Sequence, residues 1–100
     1  MNKQPAVYIL ANKRNGTLYV GVTSNLVQRM SEHKNNMVEG FTKHYNVHQL
    51  VWELVWYEGH ESTESAIMRE KRIKDWKRAW KLELIERKNP DWLDLYDTIV

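Results

Sequence analysis

The sequence predicts a small α+β domain, and three observations predict it. Asn15-Gly16 stands between two short β-branched and aromatic runs, the pattern of a β-hairpin. Leu50 to Tyr57 alternates as a third strand would, and a long helical segment follows Ser62 and Thr63.

Val7-Tyr8-Ile9-Leu10 and Leu18-Tyr19-Val20 form the arms of the hairpin. With Asn15-Gly16 as a two-residue turn, Asn12 faces Tyr19 and Tyr8 faces Thr23. Cross-strand partners share a face and period two preserves it, so Tyr8 and Tyr19 emerge on the same side. A longer loop of the same parity keeps that result. Gly21 falls on this face too, and is expected to leave open space beside Tyr19 where a ligand could approach the backbone.

Thr23-Ser24-Asn25 offers caps for a helix from about Leu26 to Asn35, with Leu26, Met30 and Met37 as its buried stripe. Residues 36–48 read as a loop. In the third strand Leu50, Trp52, Leu54 and Trp56 lie on one face and Val51, Val55 and Tyr57 on the other. Apolar residues on both faces predict a central strand. From Ser62 or Thr63 a helix runs to about Arg87, bends near Arg78 to Lys81 and stops at Asn89-Pro90.

One hundred residues give room for one domain spanning 1–100, with a core over about 5–88 and a tail over 89–100. Hydrophobic residues make up 42% and charged residues 28%, which excludes a disordered or fibrous chain. The absence of cysteine excludes a disulfide scaffold, a thiolate metal site and a cysteine nucleophile. The apolar run Ala6 to Ala11 is too short to be an export signal or a membrane span, so a cytoplasmic protein with no membrane partner is expected.

Several polar residues border or interrupt the apolar faces. Glu70 lies among Ala66, Ile67 and Ile73 on the predicted long helix, where a carboxylate is costly unless paired, hydrogen-bonded or metal-bound. It is read either as a structural carboxylate, which pairs with an arginine or reaches past the stripe to solvent, or as a functional one. Arg29 and His33 are four residues apart and flank the buried stripe of the first helix. They are ordinary boundary residues or, together, a phosphate clamp and a proton-handling group. A tyrosine hydroxyl, with an ordinary pKa of about 10, is a poor base without a cation or metal-bound water beside it. His44 and His48, with His60, have the types for zinc but lack an acidic or thiolate partner at suitable spacing. The five tryptophans, including the pairs Trp52/Trp56 and Trp76/Trp80, are expected to supply core bulk rather than a base-stacking surface.

Taken in order, these residues resemble the GIY-YIG nuclease family, the module also found in the excision-repair nuclease UvrC. Ala6-Val7-Tyr8 is similar to the first motif and Tyr19-Val20-Gly21 to the second, eleven positions apart from tyrosine to tyrosine. Thr23, Leu26, Arg29 and His33 resemble the helix that follows, and Glu70 matches the family's metal-binding glutamate. Asn89-Pro90 with Trp92 and Asp94-Leu95 resembles the close of the small stand-alone bacterial branch, often called YhbQ-like. Ala6 replaces a glycine, and Val22 stands where several active nucleases of the family carry a lysine.

The resemblance implies a three-stranded antiparallel sheet flanked by helices, and hydrolysis of DNA phosphodiester bonds with one divalent cation, Mg²⁺ or Mn²⁺. It implies Glu70 as metal ligand, Tyr19 as general base with Tyr8 hydrogen-bonded nearby, and Arg29 assisted by His33 on the transition-state charge. Asn89 and Gly21 would support the site. A repair role on branched, nicked or damaged DNA fits the relatives, with no small-molecule cofactor. A nucleic-acid-binding module of the same fold, with weak or no catalysis, is the alternative that Val22 suggests.

The net charge of +2 conceals an uneven distribution. Arg69 to Lys88 holds nine basic and four acidic residues, and Met1 to His48 six basic and two acidic. A basic surface around the tyrosines, Arg29 and Glu70 is therefore expected.

Overall fold

The computed structural model describes residues 4–36 and 52–100. Met37, the loop to His48, and Leu50 and Val51 of the expected third strand lie outside the described residues, as do His44 and His48.

Strand β1 (Ala6–Ala11) lies at the centre of a three-stranded sheet of order β2-β1-β3. Both neighbours, β2 (Leu18–Thr23) and β3 (Glu53–Gly59), run antiparallel to it. The predicted central strand is therefore an edge, and the hairpin's first arm is central: all six residues of β1 are buried. Such a strand reads as a continuous apolar run because each face meets a core.

The hairpin register pairs Tyr8 with Gly21, Leu10 with Tyr19 and Ala11 with Leu18. This is two residues from the expected pairing, so parity holds and Tyr8, Tyr19 and Gly21 share a face. The turn lies one residue earlier than Asn15-Gly16 suggests. Gly16 N–H donates to Lys13 O at 2.9 Å, and Asn15, at φ 57°, takes the left-handed conformation. Asparagine tolerates that region better than other residues with side chains, because its short amide bonds locally.

β3 is bulged: Ile9 faces Trp56 and Leu10 faces Leu54, leaving Val55 as an extra residue. The bulge breaks the expected alternation. Leu54 and Trp52 pack with Tyr8 and Leu10, whereas Trp56 joins Val55 in the core on the other side. The exposed edge of β3 is closed by the chain's own C-terminal segment. Leu95 N–H donates to Leu54 O at 2.8 Å, Leu54 N–H donates to Asp94 Oδ1 at 3.2 Å, and Asn89 Nδ2 donates to Val55 O at 3.0 Å. Covering an edge in this way removes a template for pairing with other chains.

One face of the sheet is covered by α1 (Leu26–Asn36) and the short α4 (Tyr96–Ile99). Asn25 caps α1, its Oδ1 accepting from Gln28 N–H at 3.3 Å. The other face is covered by α2 (Thr63–Asp75) and α3 (Arg78–Lys88), joined through Trp76 and Lys77. Ser62 caps α2 by accepting from Ser65 N–H at 3.1 Å. The bend expected near Arg78 to Lys81 is a break at Trp76 and Lys77, so the long helical segment is two helices. Within α2, Ala66 and Ile73 are fully buried while Ile67 is exposed, so the stripe is narrower than expected. None of the described helices is long and apolar enough to cross a membrane.

Candidate active site

The site forms along the β2 edge, between α1 on one face and α2 on the other. Tyr8 projects from the buried central strand and Tyr19 from the edge strand β2, with ring centroids 6.2 Å apart. His33 of α1 approaches the Tyr8 ring edge-on at 6.3 Å. That approach follows from the four-residue spacing of Arg29 and His33 beside the buried Leu26 and Met30. Arg29 is half-exposed, 3.7 Å from Glu32, and its charge acts on both Tyr8 and His33.

Gly21 does not leave the open space that was expected. A Cβ there would lie 2.5 Å from Tyr8 Cζ, 2.6 Å from its Oη and 2.9 Å from Tyr19 Cε1. The two rings close over the glycine, which is what sets their spacing. Tyr8 Oη is wholly buried and makes no hydrogen bond of acceptable geometry among the described residues. Burial, followed by the neighbouring Tyr19, pushes its pKa up to about 12, with Arg29 opposing. Tyr8 is therefore a neutral phenol at any physiological pH, able to donate a proton but not to serve as a base. Burial also holds His33 below its usual range, and Arg29 adds to that effect.

Glu70 is buried on α2, between Ala66 and Ile73. Its partner is a lysine rather than the arginine considered above: Lys74 Nζ lies 2.7 Å from Glu70 Oε2. The i,i+4 spacing in the last turn of a helix is the signal that would have found it. The hydrogen bond to Glu70 raises the Lys74 pKa above its ordinary value, and Tyr19 raises it further. α2, which carries the ion pair, packs against β2, the strand that carries Tyr19.

Asn89 lies elsewhere. Its amide nitrogen donates to Val55 O on β3, two strands from Tyr19, and to Leu93 O at 2.9 Å in the C-terminal segment, while its Oδ1 accepts from Leu93 N–H at 3.0 Å. Its contacts brace the C-terminal segment. Val22 packs against the core beneath α2, on the face opposite the tyrosine pair. Trp52, Trp56 and Trp92 are buried, as expected of core residues, but Trp80 is half-exposed and meets Trp76 edge-to-face at 6.0 Å. His60 bonds Ser65 Oγ and Glu58 Oε1, each at 2.8 Å, locking the turn between β3 and α2.

Among the described residues no group of three or more His, Asp or Glu side chains converges as a metal cage. A single buried carboxylate still suits Mg²⁺ or Mn²⁺, hard cations commonly held by one or two carboxylates together with water and substrate phosphate. Glu70 supplies such an oxygen, and Lys74, half-exposed on a flexible stem, can yield its place.

A small α+β scaffold thus carries a tyrosine pair over a glycine, an arginine and a histidine on one helix, and a buried glutamate on another. The chain belongs to the GIY-YIG family: the model of the GIY-YIG catalytic domain matches residues 4–83. Membership implies a nuclease-type function, and nucleases of this family typically use a divalent metal. The chain is also similar to the UPF0213 protein BH0048 from Bacillus halodurans, solved in solution by NMR. Identity is 25%, the match covers 89% of each chain, and the TM-score is 0.55. That likeness extends to the small YhbQ-like proteins of the family, and the antiparallel three-stranded sheet flanked by helices is the shared architecture. Comparison with curated proteins gave no match.

Proposed function

We propose that the protein is a metal-dependent endonuclease that hydrolyses DNA phosphodiester bonds. The observation that carries this reading is the convergence of two tyrosines, Arg29 and His33 beside the buried Glu70–Lys74 pair, in a chain of this family. Tyr19, exposed on the β2 edge, takes the proton of the attacking water when it is in its phenolate form and so becomes the phenol. Tyr8 keeps its proton and stays a neutral phenol packed beside Tyr19, a hydrogen-bond donor rather than a second base. Arg29 meets the negative charge that builds on the phosphoryl oxygens, and neutral His33 contributes one N–H donor. Glu70 would hold the divalent cation in place of Lys74, and Mg²⁺ or Mn²⁺ bound there would supply charge neutralisation at the phosphate. Gly21 acts by setting the spacing of the rings. A cytoplasmic role in DNA repair is consistent with this chemistry.

The test is a cleavage screen over supercoiled, nicked, branched and single-stranded DNA with Mg²⁺ or Mn²⁺. Glu70→Ala is expected to abolish cutting. Tyr19→Phe should slow it about 100- to 10,000-fold and Arg29→Ala about 100- to 1,000-fold. Metal-dependent cutting that survives Glu70→Ala and Tyr19→Phe refutes the assignment. A second reading, a nucleic-acid-binding module without efficient catalysis, is favoured by Val22 and by the ammonium seated on Glu70. It predicts salt-sensitive binding with no cleavage in either metal.

A further inference from the structure

Beside the hairpin loop, where it meets the start of α3, lies a concavity of about 690 Å³ lined by Lys13, Arg78 and Lys81 together with Asn12 and Leu18. Its volume falls in the range of ligand clefts, about 300–1,000 Å³. No carboxylate and no aromatic ring lines it. It therefore offers positive charge and hydrogen bonds but no surface on which a base could stack. The first turn of α3 carries no acidic residue, so nothing there offsets the three cations.

The cavity is held in shape by the fold. An Arg78 guanidinium nitrogen donates to Asn15 O and to Gly16 O, each at 2.7 Å, fastening the loop to α3. It also adjoins the candidate active site along two routes. Leu18, in its wall, immediately precedes Tyr19 on β2. Lys81 Nζ donates at 3.3 Å to the carbonyl of Lys74, whose own ammonium is seated on Glu70.

We propose that this concavity is a subsite for the sugar–phosphate backbone of a nucleic-acid strand, holding phosphates next to the one at Tyr19 and Glu70. The proposal rests on the nuclease reading. Like charges converge here without a protein counter-charge, and the ligand that supplies repeated anions one step from the site is the strand itself. Lys13 and Lys81 make the phosphate contacts, while Arg78 is a positioning residue that fixes the loop.

The test is binding of a fluorescein-labelled DNA duplex by anisotropy, in EDTA so that binding is read without cleavage, from about 50 to 200 mM salt. Lys13→Gln and Lys81→Gln should each weaken binding about 5- to 10-fold at 0.1 M salt and lower the slope of log K against log salt by about 1. Lys88→Gln, an exposed lysine in the last turn of α3, should leave both unchanged. Thermal melting checks the fold of each variant. If Lys81→Gln does not fold, Lys13→Gln and the charge reversal Lys13→Glu decide the matter. Binding by the wild-type protein that neither lysine affects, or an equal loss in Lys88→Gln, overturns the subsite while leaving the nuclease reading intact. No binding by the wild-type protein at low salt overturns both.

Discussion

Adding one methyl group at Gly21 should cost stability out of proportion to its size. In Gly21→Ala the new Cβ falls 2.5 Å from Tyr8 Cζ and 2.6 Å from Tyr8 Oη, where ordinary contacts between carbons lie at about 3.5–4.0 Å. One side must move by about 1 Å to restore that spacing. Tyr8 has little freedom to do so: it is 0% exposed, paired with Gly21 in the ladder and packed in one cluster with Leu26 and Met30. Overpacking of this kind costs about 2–3 kcal/mol. Gly21 does not have a positive φ, so backbone strain adds nothing, and the reduced freedom of the unfolded chain returns about 0.4–1 kcal/mol. The net loss is about 1–2.5 kcal/mol, read as a lower urea midpoint at unchanged m-value, or as a fall in Tm of about 4–20 °C for a domain of this size. In a Tyr8→Leu background the ring is gone and the same substitution should cost almost nothing, which a double-mutant cycle measures. A loss below about 0.5 kcal/mol in the wild-type background, or an undiminished loss beside Tyr8→Leu, would falsify the claim that the rings close over Gly21.

Asn89→Ala removes three hydrogen bonds that tie α3, β3 and the C-terminal segment together, and should cost about 2–4 kcal/mol, with faster hydrogen exchange at Leu93 and Leu95. Wild-type exchange in that variant would show that the segment is held by other contacts. His33 makes stability depend on pH in the acid range. Its folded pKa is lowered, so the unfolded chain binds more protons just below pH 6.5 and stability falls as the pH drops through that value. His33→Gln should therefore lose less stability than the wild type between pH 7 and about 5. Parallel losses in the two proteins would place His33 in a solvated setting.

Local signals in the chain carried much of this structure. The shared face of Tyr8 and Tyr19 followed from period two alone and survived a two-residue error in register, because parity rather than exact pairing decides the face. The start of α2 at Ser62 and the stop at Asn89 were legible in capping chemistry, and the misfit of Glu70 in an apolar stripe pointed to a buried, partnered carboxylate. Other features depend on residues far apart in sequence. The bulge at Val55 turns Trp56 to the opposite face from Leu54, and a bulge leaves no mark in an alternating run of apolar residues. β3 became an edge because the C-terminal segment covers it through Asp94 and Leu95, forty residues further on.

The sequence by itself determined which residues could do chemistry and which face each would take on its own element, because side-chain period and capping are properties of the local backbone. Only the tertiary structure decided that Tyr8 is sealed and Tyr19 open, that Gly21 is filled rather than vacant, and that Lys74 neutralises Glu70 beside Tyr19. Those outcomes turn on strand order and on what α1 and α2 lay against each face. Burial and charge at a site are sums over neighbours, and the neighbours come from distant parts of the chain.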